Sequence, residues 1–217
     1  MPDFRSRLRA HWPLLLAGLV LPWATFAGLA WAVVRRGGPA WDGPILNYWH
    51  AHATPALDRA AVLLTVVGNT GPMVGTGVLV LLGLWRQGQR REARTWALAV
   101  GGSMLLTQLI KHLVMRPRPA LWTSLRPEHT YSFPSGHAMD TAAVAAALCF
   151  LAWRYRRQRW VWAVAPAFAL AVGWARVYLG VHNPSDVLAG WASAVGWVVL
   201  VQLATGAGSE PLDKRLD

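Results

Sequence analysis

Three short stretches of this chain set phosphate-binding residue types beside apolar runs. Tyr131-Ser132-Phe133-Pro134-Ser135-Gly136-His137 is a polar turn that leads directly into the apolar run from Ala138 to Trp153. A helix starting there presents unpaired backbone N–H groups and the positive end of the peptide dipole, and both favour an anion. Gly136 has no Cβ to keep an anion from the backbone, Ser135 offers a hydroxyl donor, and His137 exchanges a proton near neutral pH. Upstream stand Lys111 and Arg118; downstream stand Arg176, His182 and Asp186. Arginine offers a planar fork for two oxygens and lysine a point charge, so these cations can stabilise a transferring phosphoryl group without a metal. His182 precedes Asp186 by four residues, with Pro184 between them suited to a first helical turn. A carboxylate so placed can hold one ring nitrogen as N–H and leave the other free to attack phosphorus, or it can simply cap the helix it opens.

The elements that must position these residues are membrane helices. Of 217 residues, 54% are hydrophobic and 14% charged, 14 are tryptophan, and mean hydropathy is positive. Apolar runs follow one another with short polar connections and no low-complexity linker, which predicts one domain over 1–217. Spans are expected at about 12–34, 60–85, 95–115, 137–153, 160–177 and 185–205, each near the ~20 residues that cross a bilayer core. The fold class is therefore all-α, an integral membrane bundle of six transmembrane helices with an active site at their extracytoplasmic ends. The first span is too long for a signal h-region and is expected to stay uncleaved. Gly68-Asn69-Thr70-Gly71-Pro72 should kink or partly unwind the second. The connection from Arg35 to Arg59, with Trp41 and Trp49, reads as an interfacial segment.

The formal charge of +11 does not indicate nucleic acid, because the arginines cluster in short loops where they set topology and meet anionic lipid. Arg5, Arg7, Arg9, Arg86, Arg90, Arg91, Arg94, Arg154, Arg156, Arg157, Arg159, Lys214 and Arg215 share one side, which is therefore cytoplasmic, with both termini. The other side carries eight cations, and those placed against span ends need a partner or a function. Arg116 and Arg126 read as loop charges or entrance contacts. Asp140 could tune His137 but reads better as a helix-start acid. His50 and His52 lack a third ligand for a metal, and Cys149, the one cysteine, reads as packing. His112 and His129 receive no role.

Lys111-x6-Arg118-Pro119, Pro134-Ser135-Gly136-His137 and Arg176-x5-His182-x3-Asp186 together resemble the three-part signature of the type 2 phosphatidic acid phosphatase superfamily, which also includes vanadium haloperoxidases. The resemblance implies that His182 is the nucleophile, forming a phosphohistidine, that Asp186 orients it, and that His137 is the general acid for the leaving oxygen and afterwards activates water. It implies a phosphate cradle of Lys111, Arg118, Ser135, Gly136 and Arg176, with no metal and no cofactor. One position departs from the pattern: the family usually has serine before the third-motif arginine, and here it is Ala175.

The expected activity is that of a metal-independent lipid phosphatase in the inner membrane of a bacterium, facing the periplasm or cell exterior. Resemblance to small bacterial members implies undecaprenyl pyrophosphate as substrate, ahead of phosphatidylglycerol phosphate or phosphatidic acid; the partners are the lipid phosphate and membrane lipids. A haloperoxidase would use the same anion cradle, but six spans oppose it, since those relatives are soluble. A non-catalytic lipid-phosphate transporter or binding protein would have no need of His182, Asp186 and His137 acting together. The sequence does not indicate an oligomeric state.

Overall fold

The computed structural model describes residues 15–155 and 158–206. The basic head with Arg5, Arg7 and Arg9, the pair Arg156 and Arg157, and the tail with Lys214 and Arg215 lie outside the described residues, as do the first residues of the expected first span. Within the described residues every regular element is a helix: α1 Leu16–Arg36, α2 Asp42–Ala51, α3 Pro55–Val67, α4 Thr70–Arg86, α5 Arg90–Val114, α6 Gly136–Arg154, α7 Val161–Tyr178 and α8 Pro184–Thr205. Helices α1, α5, α6, α7 and α8 are each long and apolar enough to cross a membrane, and α3 with α4 makes a sixth such path bent by 45°. The bend falls where the sequence predicts one, at Gly68 and Asn69 ahead of Pro72.

Helix α6 is the axis of the bundle and packs on α4, α5, α7 and α8. Its small side chains, Ala138, Ala142, Ala143, Ala145 and Ala147, are buried and let the neighbouring backbones approach closely. Indole N–H groups tie the surrounding helices together: Trp96 Nε1 donates to Gly77 O at 2.9 Å, joining α5 to α4, and Trp197 Nε1 donates to Leu98 O at 3.0 Å, joining α8 to α5. Helix α5 begins five residues before the expected span, at Arg90, because Arg, Glu and Ala are strong helix formers and because Glu92 is buried against Arg154 of α6 at 2.9 Å. The interfacial segment is in part a helix, α2, which lies across the ends of α7 and α8. There Trp49 meets the rings of Trp174 and Tyr178 edge-on.

At the far end of α5, Met115 takes a left-handed conformation, φ 49° and ψ 33°, which is uncommon without glycine. It turns the chain sharply into the connection from Arg116 to Ser135 that roofs this end of the bundle.

Candidate active site

All eight residues singled out in the sequence meet at the end of the bundle where α5 and α7 finish and α6 and α8 begin. Arg118 is the central donor. Its Nε bonds Thr130 O at 2.6 Å, its Nη2 bonds Thr130 Oγ1 at 3.0 Å, and its Nη1 reaches both Val181 O at 2.7 Å and His182 Nε2 at 3.1 Å. Arginine has no acceptor, so that last contact makes Nε2 the unprotonated ring nitrogen and leaves the proton on Nδ1. Nδ1 faces Asp186 Oδ2 at 3.7 Å and Ser132 Oγ at 3.4 Å. Ser132 in turn donates to Asp186 Oδ2 at 2.5 Å and so fills the gap between ring and carboxylate. Burial pushes the His182 imidazole down to about 3, with Asp186 opposing the shift and Arg118 reinforcing it. At neutral pH the ring is therefore uncharged, with a lone pair on Nε2.

Asp186 caps α8 and stands next to His182. Its carboxylate accepts from Asn183 N at 2.8 Å as half of a capping box that starts α8, and it also lies beside His182. Ser135 is the N-cap of α6, and its backbone N–H donates to Asp186 O at 3.0 Å, which locks the two helix starts together.

Lys111 Nζ donates to Thr130 Oγ1 at 3.1 Å and Tyr131 O at 2.8 Å. Arg176 is 0% exposed and pairs with Glu128, with Thr65 Oγ1 3.4 Å from its Nη1. Ser135 Oγ, His137 Nε2 and Arg176 Nε are buried without a hydrogen-bond partner, the state expected of groups built to receive a ligand. Beside them is a cavity of about 360 Å³ lined by Lys111, Glu128, Thr130, Gly136, His137 and His182, with Arg126 and Asp140 also in its wall. A Cβ on Gly136 would stand 3.9 Å from Lys111 Cε, at the cavity wall.

Several residues have contacts that sequence reasoning missed. Glu128 was overlooked, although it is the one acidic residue between Glu92 and Asp140. It bridges Arg118, at 3.2 Å, and Arg176. Burial pushes its carboxyl up, but Arg176, His137 and Arg118 outweigh this and hold it below the ordinary carboxylate range. Ser132 lay within the polar turn but received no role. Arg116 corrects an expectation: it is no loop charge but 7% exposed, bonded to Asp186, Ser185, Asp42 and Gly37. Asp140 accepts from Thr70 Oγ1 at 2.7 Å across the α3–α4 break, a contact that neither sequence reading anticipated. Ala175 is buried in an apolar cluster with Ala61, Tyr178, Leu179 and Val181, so the absent hydroxyl leaves no gap in the cavity wall.

Comparison with known proteins agrees with this geometry. The model of the PAP2 superfamily matches residues 92–207, which contain all three motifs. The chain belongs to the PAP2 superfamily. A PAP2 relative, phosphatidylglycerophosphatase B of Bacillus subtilis (strain 168), is 31% identical over 157 residues, 64% of this chain and 77% of that one. Undecaprenyl-diphosphatase BcrC of the same organism is 28% identical over 152 residues, 67% of this chain and 73% of that one. The crystal structure of a transmembrane PAP2 type phosphatidylglycerolphosphate phosphatase from Bacillus subtilis superposes with a TM-score of 0.75 at 26% identity, covering 91% of this chain and 96% of the other. The expectations of an all-helical, multi-pass PAP2 membrane protein and of a phosphate-ester hydrolase are borne out.

Proposed function

We propose that this chain is a single-domain, metal-independent phosphatase that removes the terminal phosphate of a lipid pyrophosphate, undecaprenyl pyrophosphate first, through a phosphohistidine on His182. The observation that carries the reading is the fixed tautomer of His182: Arg118 can only donate, so Nε2 carries a lone pair at the cavity edge while Nδ1–H faces Asp186. As phosphate engages Arg118, Nε2 gives up its hydrogen bond from that arginine and attacks phosphorus, and the bond to the bridging oxygen breaks, with His137 giving that oxygen its proton. Water then attacks the phosphohistidine, His137 takes up the water's proton, and Nε2 is released with inorganic phosphate. Lys111, Arg118 and Arg176, with Ser135 Oγ and the Gly136 N–H, hold the equatorial oxygens; these cations supply the charge for which other phosphotransferases use metal ions.

Relatives support both lipid classes. The polyprenyl reading draws on the undecaprenyl-diphosphatase relative. A second reading, phosphatidylglycerol phosphate, is favoured by the B. subtilis phosphatidylglycerophosphatase B and by the superposition on the phosphatidylglycerolphosphate phosphatase. Purified protein should release phosphate from a panel of both lipids and phosphatidic acid with excess chelator present, fastest from undecaprenyl pyrophosphate. Activity that disappears with chelator and returns with Mg²⁺ overturns the metal-free mechanism. His182→Ala should abolish turnover, and near-normal rates in that variant would remove the nucleophile assignment.

A further inference from the structure

Arg116 lies in none of the three motif positions, yet its guanidinium is spent entirely on the surroundings of Asp186. Nη1 donates to Asp186 Oδ1 at 2.6 Å and to Ser185 Oγ at 2.8 Å. Nη2 donates to Asp42 Oδ2 at 2.9 Å and to Gly37 O at 2.8 Å. Asp42, in the first turn of α2, also accepts from Ser185 N at 2.9 Å and from Ser185 Oγ at 2.5 Å, so it clasps the first turn of α8 directly. Asp42, Arg116, Ser185 and Asp186 are all buried, and each charge in the chain carboxylate–guanidinium–carboxylate is met by its neighbour. The fit is tight: at Gly38, with φ +135°, a Cβ would lie 2.1 Å from Arg116 Nη2 and 3.0 Å from Asp42 Oδ2.

Asp186 thus has its two oxygens divided between tasks. Oδ1 is taken by Arg116, whereas Oδ2 receives Ser132 and Asn183 N and faces His182 Nδ1. Without Arg116, Oδ1 would be a buried charge with no partner, and the carboxylate would tilt away from the ring to find one. We propose that Arg116 and Asp42 are positioning residues for phosphoryl transfer: Asp42 holds Arg116, Arg116 holds Asp186, and Asp186 keeps Nε2 of His182 aimed at phosphorus. Helix α2 is by this route part of the catalytic apparatus although its residues do not touch the phosphate cradle. The inference rests on the reading of His182 as nucleophile.

Positioning predicts a split that loss of fold does not. In Arg116→Gln, kcat should fall about 100-fold, the scale of a misplacement near 1 Å at the reacting atoms, while KM and competitive inhibition by inorganic phosphate stay within about 3-fold. Arg116→Lys, a point charge unable to span two carboxylates, should show the same split, and Asp42→Asn a smaller kcat loss of about 10-fold. These two variants carry the test if Arg116→Gln fails to fold. Should kcat remain within about 3-fold of the parent in the folded variants, or should kcat and phosphate inhibition weaken in parallel, the positioning role is overturned. His182→Ala run alongside separates the two claims, since turnover surviving there removes the nucleophile reading itself.

Discussion

At His182 the position of the proton is set by a neighbour that cannot accept one. Arg118 fixes Nε2 as the acceptor, and burial holds the ring down to about 3, far below its ordinary 6.5. The unfolded chain takes up a proton first as pH falls, so the neutral ring's contribution to stability is complete above about 6.5 and is lost as pH drops toward 3. Thermal unfolding followed from pH 7 to pH 4 in micelles should therefore fall less steeply for His182→Leu than for the parent chain, and equal slopes would contradict the depressed ring. Ser132 belongs to the same scale. Ser132→Ala removes the 2.5 Å bond to Asp186 and the hydroxyl beside Nδ1, and kcat should drop by about 10-fold with KM nearly unchanged; a change confined to KM would place the hydroxyl in substrate binding instead. The motif residues were legible because their types are chemically scarce beside apolar runs. Ser132 was not, since a serine in a turn is ordinary until its partner is known.

At the level of elements, the connection from Arg116 to Ser135 decides what the helix ends can do. It carries Arg118 inward, roofs the cavity, and lays Glu128 across the two arginines that a phosphate would need. In the proposed cradle, a bound phosphate would have to displace that carboxylate. Glu128→Gln should therefore tighten inhibition by inorganic phosphate about 10-fold, the order expected for removing one charge-assisted competitor; unchanged inhibition would mean that the carboxylate and phosphate use different space. The apolar runs fall on the described helices; the largest displacements are the early starts of α3, at Pro55, and of α5, at Arg90, where the long-range pair of Glu92 with Arg154 extends the helix. The roof was beyond sequence reasoning, because a connection rich in proline and arginine has no period from which contacts can be read. For the same reason Arg116 looked like a surface charge. Only the left-handed turn at Met115 and the approach of Asp42 from another helix make it a buried strut.

For the whole molecule, the topology expected from the sequence assigns 13 of the 21 lysines and arginines to the side of the termini and eight to the side of the site. Several of the eight are now accounted for by chemistry or structure, Lys111, Arg116, Arg118 and Arg176 among them, so the topological bias in the remainder is steeper than the raw count. On that ground we propose that the cavity faces the extracytoplasmic side. Leu125, 60% exposed on the roof, is a suitable reporter: a Leu125→Cys variant made in a Cys149→Ser background should react with an impermeant maleimide added to intact cells. Labelling only after the cytoplasmic face is opened would invert the topology.

The break between α3 and α4 bears on a reactant not yet accounted for. Hydrolysis of the proposed phosphohistidine would consume one water molecule per turnover, and that water needs polar contacts in the site. Gly68 and Asn69 interrupt the helical ladder, Asn69 and Thr70 line the cavity, and non-helical backbone in a spanning segment is stable only where it is buried in protein or lines a wet space. With Asp140 held by Thr70 beside it, the interruption adds polar groups to the cavity wall. The bend that divides one span into two helices thus sets Asn69 and Thr70 in the same cavity wall as His137, where the water consumed in the proposed reaction would find polar contacts.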